Sequence, residues 1–134
     1  MGITIRWENE FGKLLEEVGD PRSCLALSLA LSTLEDTVCL RFIDLYGDTV
    51  FNQQQIPVLI KELQSLLQRI TPNEVAGLQD QPFRVYNLKT GQMENQVRVE
   101  KVSADEVTNL LSRIIELANR SNGATHTYLK FYGD

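Results

Sequence analysis

Apolar positions along this chain recur with two different periods. Ile3, Ile5 and Trp7 alternate with Thr4 and Arg6, the period of two that marks a strand with one buried side. Asn9-Glu10-Phe11-Gly12 predicts a turn with Gly12 at positive φ. Lys13–Val18 then reads as the returning strand of a hairpin, because six residues are few for a helix to hold. Gly19-Asp20-Pro21 ends it. In Ser23–Leu31, Leu25, Leu27, Leu29 and Leu31 share one side, with Cys24, Ala26, Ser28 and Ala30 opposite. The alternation predicts a strand, although leucine and alanine favour helix. Thr37–Ile43 repeats it, with Val38, Leu40 and Phe42 on one side and Cys39 and Arg41 on the other. A turn over Asp44-Leu45-Tyr46-Gly47-Asp48 and a short strand at Thr49-Val50-Phe51 complete a predicted meander of antiparallel strands.

The period then changes. Ile56, Leu59, Ile60, Leu63, Leu66, Leu67 and Ile70 fall at spacings of three and four, the stripe of an amphipathic helix. Asn52 with Gln55 is a capping-box pattern, and Pro57 delays the first regular turn, so the helix begins between Gln53 and Pro57. Thr71-Pro72-Asn73-Glu74 starts a short helix to about Gln79. Phe83–Asn87 and Gln92–Val102 read as a second hairpin, turning at Asn87–Gly91 on a left-handed glycine, with Val97 and Val99 sharing a face. Ser103-Ala104-Asp105-Glu106 is another capping box, with two acids at a helix N-terminus. Val107, Leu110, Leu111, Ile114, Leu117 and Ala118 form its buried stripe, and Asn122-Gly123 stops it. Thr125–Tyr132 is the last strand. The predicted architecture is α+β: one largely antiparallel sheet, made of the N-terminal meander, a later hairpin and a C-terminal strand, with two long helices packed on one face. A final strand parallel to its hairpin partner would make the helix between them a right-handed crossover.

Composition adds bounds. The 134 residues, 43% hydrophobic and 23% charged, fit one globular domain. No run approaches 18 apolar residues, so no membrane span is expected. Met1–Glu10 lacks a basic-then-apolar segment, so no secretory signal is expected. Net charge is −5, from 13 basic and 18 acidic residues, and its distribution matters more than its sum. Arg6, Lys13, Arg22 and Arg41 face nine acids in residues 1–52, while residues 53–134 are balanced. No basic stripe exists for phosphates, so nucleic acid and anionic lipid are disfavoured partners, and a basic protein or a cation suits the acidic third better.

The candidate chemistry is thin. Cys24 and Cys39 match no zinc spacing; they read as reduced core residues of a cytosolic protein. His126 is the one histidine, and it lacks a nucleophile partner in sequence. There is no phosphate loop, dinucleotide fingerprint or paired-histidine zinc motif, so no catalytic residue, cofactor or metal is assigned. Glu16–Glu17 and Asp105–Glu106 read as strand surface and helix cap. An echo joins Leu40-Arg41-Phe42, followed by Tyr46-Gly47-Asp48, to Leu129-Lys130-Phe131-Tyr132-Gly133-Asp134. Its plain reading is strand termination by a packed aromatic, a turning glycine and a capping aspartate. Its functional reading brings Asp44, Asp48 and Asp134 together around a cation or a basic side chain.

Ile3–Trp7 with Gly12, Phe42–Asn52 with the Ile56-Pro57 helix start, and Thr127–Asp134 together resemble an uncharacterised family of small bacterial proteins. The resemblance spans about a third of the chain in three patches. It implies a bacterial cytosolic protein and supplies no activity or site. The expected function is a non-enzymatic, acidic protein-binding module, immunity-type or regulatory, with Asp44, Tyr46 and Asp48 as interaction residues. The alternatives are a small enzyme or metal-binding protein built on the Asp44/Asp48 turn, and a structural subunit joined through a strand edge or Trp7.

Overall fold

The computed structural model describes residues 2–32, 34–80, 83–96 and 101–133, and the side chains of all these except 83–85, 95 and 96. The alternation at the start becomes strand β1 (Ile3–Asn9), paired antiparallel with β2 (Leu14–Asp20). Gly12 turns the hairpin at φ 78°, and the Asn9 side-chain oxygen accepts the N–H groups of Phe11 and Lys13. A register shift at Trp7/Glu8 bulges the pair. The last strand, β6 (Thr127–Gly133), lies antiparallel on the other side of β1, and the short β3 (Asp48–Phe51) pairs with β6. The sheet order is β2-β1-β6-β3.

One face of this sheet carries Ile3, Ile5, Val18, Phe51, Leu129 and Phe131, all buried. Phe51 and Phe131 meet edge to face with centroids 5.5 Å apart, a favoured geometry for aromatic pairs. Helix α4 (Ala104–Ser121) packs on β1, β2 and β6, and helices α1 (Cys24–Ala30), α2 (Ile56–Arg69) and α3 (Pro72–Asp80) pack against α4. The predicted stripes are the buried ones: Leu63, Val107, Leu111, Ile114, Leu117 and Ala118 are fully enclosed. Each large apolar side chain so enclosed contributes about 1.5–3 kcal/mol. The fold class is therefore α+β, with an antiparallel four-stranded sheet and a separate two-stranded hairpin.

The predicted caps form. Asn52 and Gln55 bond reciprocally at 2.9 and 3.0 Å. The Ser103 hydroxyl accepts the Glu106 N–H at 3.1 Å and the Thr71 hydroxyl accepts the Glu74 N–H at 3.3 Å. Gln53, read as a plain polar helix start, does more: its amide donates to the carbonyls of Ser121 and Thr127 and the Thr127 hydroxyl, and accepts the Gly123 N–H. It ties the end of α4 to the start of β6.

Two predicted strands are not strands. Cys24–Ala30 is helix α1. Cys24, Leu25, Leu27, Ser28 and Leu29 are all buried, so both sides of the apparent alternation are enclosed and its period carried no information. The buried Asp20 carboxylate accepts the N–H groups of Cys24 and Leu25 at 2.9 and 2.8 Å, satisfying donors that a helix N-terminus leaves free. Within Thr37–Ile43 the structure forms a 3-10 turn, Leu40–Phe42, preceded by another at Leu34–Asp36. Leu40 is buried while Val38 and Phe42 stand out at 61% and 62% exposure, so these three do not share a face. The Glu62 carboxylate, reaching from α2, takes the N–H groups of Val38, Cys39 and Leu40. The N-terminal meander is thus one hairpin and, later, β3.

The second hairpin, β4 (Phe83–Asn87) with β5 (Gln92–Gln96), forms its own two-stranded sheet and turns on Gly91 at φ 68°. Strand β6 is antiparallel to both its neighbours and does not join that hairpin, so the conditional crossover does not arise. Val97 and Val99 lie outside the described residues. Beyond them the chain is held by Gln79, whose side-chain amide pairs with both the N–H and the C=O of Val102 at 2.7 and 2.8 Å.

Candidate interaction surface

The two Tyr-Gly segments meet. Asp48 lies opposite Tyr132 in the β3–β6 ladder, and the Gly133 N–H donates to the Gly47 carbonyl at 2.7 Å. A Cβ on Gly133 would collide with the Leu45 carbonyl, so that position requires glycine for close backbone approach. Asp134 lies outside the described residues.

This contact braces the turn before β3. The Asp44 carboxylate accepts the Tyr46 N–H at 2.9 Å, its backbone N–H donates to the Thr49 hydroxyl at 2.9 Å, and that hydroxyl donates to the Phe42 carbonyl at 3.4 Å. The turn is fixed from within, and its side chains face outward. Asp44 and Asp48 are exposed, and Tyr46 and Val50 are 72% and 47% exposed. Asp44 therefore has the capping role expected of a turn aspartate. The Asp48 side chain makes no hydrogen bond or ion pair among the described residues. The Arg41 guanidinium lies 4.9 Å from the Phe42 ring. The turn and the start of β3, the strand that closes the sheet, thus expose Phe42, Tyr46 and Val50 together with two carboxylates.

From β3 the surface continues onto the sheet face away from the helices. Val50 lies opposite Lys130, Lys130 opposite Arg6, and Arg6 opposite Glu17. The Tyr132 ring has two cations near it, Arg6 at 5.5 Å and Lys130 at 5.7 Å from its centroid, and its hydroxyl donates to Glu8 at 2.7 Å. Glu8 also faces Arg6 at 3.5 Å and Lys130 at 3.6 Å, and is 3% exposed. The Lys130 ammonium is held above its ordinary pKa, chiefly by Tyr132, with Glu8 adding to it. Sequence reasoning missed Glu8. The available signal was its place on the same side of β1 as Arg6, two positions on. The cluster neutralises itself, with its aromatic ring already occupied by cations.

Among the described residues, no reactive pair assembles. Cys24 and Cys39 are free and buried. Burial raises the Cys24 thiol to about 11, with Asp20 and Glu106 adding, and burial raises Cys39 as well, with Glu62 adding; a raised thiol pKa disfavours the nucleophilic thiolate. His126 sits at φ 61° with its ring 77% exposed and its Nδ1 3.2 Å from Glu10. Among the described residues, no group of three His, Cys, Asp or Glu side chains is arranged to hold a metal ion, so Asp44 and Asp48 gain no third ligand there. Trp7 packs half-buried against the core; its indole N–H is enclosed and has no hydrogen-bond partner among the described residues. No described helix is long and apolar enough to cross a membrane.

The chain matches no family model, no curated protein and no solved structure. The resemblance to a family of small bacterial proteins rests on its three sequence patches.

Proposed function

We infer that this protein acts by contact, as a non-enzymatic binding module whose docking surface is the Asp44–Asp48 turn with the edge of β3, and whose partner is a basic protein. The observation that carries this reading is the exposure of Tyr46, Phe42 and Val50 around Asp44 and Asp48 on a rigidly braced turn. Aromatic residues contribute most of the contact energy at protein interfaces, and carboxylates around them steer a cationic partner and exclude anionic ones. An edge strand adds unpaired backbone groups that can receive an extended segment. The acidic first third disfavours nucleic acid on this reading, and the two free buried thiols suit a reducing compartment such as a bacterial cytosol. An immunity-type or regulatory role follows from binding without chemistry.

The test is site-specific photo-cross-linking in the source cells, with the photoreactive residue at position 46 and a control at exposed Val58 on α2. The expected result is one adduct from position 46, to a protein with a basic surface, absent from the control. Adducts to an acidic protein or to nucleic acid, or none from position 46, would refute the reading.

A further inference from the structure

We propose that the groove between α2 and the two 3-10 turns binds a small free zwitterion, an α-amino acid with a short side chain. The groove is open to solvent, holds about 180 Å³ and is lined by Asp36, Leu40, Lys61, Ser65, Leu66 and Arg69, together with Ser32, Thr37 and Glu62. This surface is distinct from the turn at Asp44–Asp48.

The lining divides into groups already engaged and groups left free. The Ser32 hydroxyl donates to the Leu29 carbonyl, and the Thr37 hydroxyl donates to the Leu34 carbonyl and accepts the Arg41 N–H. Glu62 receives three backbone N–H groups, so both its oxygens are already engaged by the protein's own amides. What remains is Lys61, Ser65 and Arg69 on one wall and Asp36 on the other. None of the four side chains has a hydrogen bond or ion pair among the described residues. Lys61, Ser65 and Arg69 follow at intervals of four along α2, which places them on one helix face.

Opposite charges therefore line one groove without closing on each other, and Leu40 and Leu66 are the apolar part of its lining. A ligand with its carboxylate toward Lys61 and Arg69 and its ammonium toward Asp36 satisfies both walls. Its side chain rests on the leucines, and a hydroxyl there would meet Ser65. The volume indicates the scale of the contact: a cavity of about 150 Å³ holds benzene, so this groove covers about ten non-hydrogen atoms. The charged groups are solvent-exposed, and exposed ion pairs are weak, so the expected Kd is about 0.1–1 mM.

The test is titration of the 15N-labelled full chain with glycine, L-alanine, L-serine and L-threonine, and separately with acetate and with methylammonium. The expected result is saturable amide shifts confined to the lining residues for at least one amino acid, and no saturation with either half-ligand. Asp36→Asn, and Lys61→Gln with Arg69→Gln, replace exposed side chains, so amide shifts elsewhere should stay in place while affinity falls about threefold or more. Four results would each overturn the proposal: no saturable shift up to about 20 mM of any amino acid, shifts centred elsewhere, acetate binding as tightly as the amino acid, or variants that leave affinity within about twofold.

Discussion

Replacing Glu62 by alanine removes the carboxylate that receives the N–H groups of Val38, Cys39 and Leu40 at 2.7, 2.9 and 2.9 Å. Hydrogen bonds to a charged group contribute about 1.5–3 kcal/mol each, which gives an upper bound well above the expected effect. Two corrections lower it. Val38 is exposed, so its N–H turns to water at little cost, and alanine is a slightly better helix former than glutamate. Cys39 and Leu40 are each 1% exposed, and their N–H groups lose their partner with limited access to solvent. The expected loss is about 2–4 kcal/mol. Glu62→Gln keeps one acceptor oxygen for Cys39 and Leu40 but turns an NH2 group toward the Val38 N–H, so it should cost about 1 kcal/mol. Urea unfolding at constant slope measures both. Native-state labelling of Cys39 should accelerate in the alanine variant while that of Cys24 does not, because the segment around Cys39 alone is released. An alanine variant within about 0.5 kcal/mol of the parent, or a glutamine variant as unstable as the alanine one, would refute the reasoning.

Three further outcomes follow from the packing. Leu63→Ala and Leu111→Ala, both at fully enclosed positions, should each cost about 2–5 kcal/mol in the same unfolding assay; a cost below about 0.5 kcal/mol would place them on the wrong helix face. Thiol reagents should react slowly with Cys24 and Cys39 in the folded chain and fast after denaturation. Cys24 bears on pH as well: the folded thiol holds its proton to about 11, above the ordinary 9.0, so the stabilisation is complete below about pH 9 and is lost as pH rises toward 11. Stability to urea that rises across that alkaline window would contradict this. Gly133→Ala should cost about 1–3 kcal/mol, since its Cβ meets the Leu45 carbonyl and either the turn or β6 must shift; an unchanged midpoint would show that the two segments are not in contact.

What could be read from the chain was what local chemistry decides. Asn52, Thr71 and Ser103 cap because each bonds a donor or acceptor three residues on, and Gly12, Gly91 and Gly123 adopt positive φ where turns need it. The stripes of α2 and α4 are long enough for their period to be unambiguous. Cys24–Ala30 and Thr37–Ile43 were illegible for a different reason: their backbone donors are satisfied by Asp20 and by Glu62, a side chain more than twenty residues away, and Cys24–Ala30, short and buried on both sides, shows no preferred face. For the candidate surface, the acidic, aromatic composition of the turn was legible in Asp44, Tyr46 and Asp48. The Glu8 cluster and the α2 groove depend on strand register and on packing between elements, which no sequence spacing displays.

Whether the braced turn meets a cationic partner is tested most directly by the association rate of the cross-linked partner. Asp44→Asn with Asp48→Asn preserves shape and leaves an acceptor for the Tyr46 N–H, so folding stability should change by less than about 0.5 kcal/mol. Association at low ionic strength should slow by roughly threefold or more and lose part of its salt dependence, because two steering charges are gone. An on-rate indifferent both to salt and to this double change would contradict the claim.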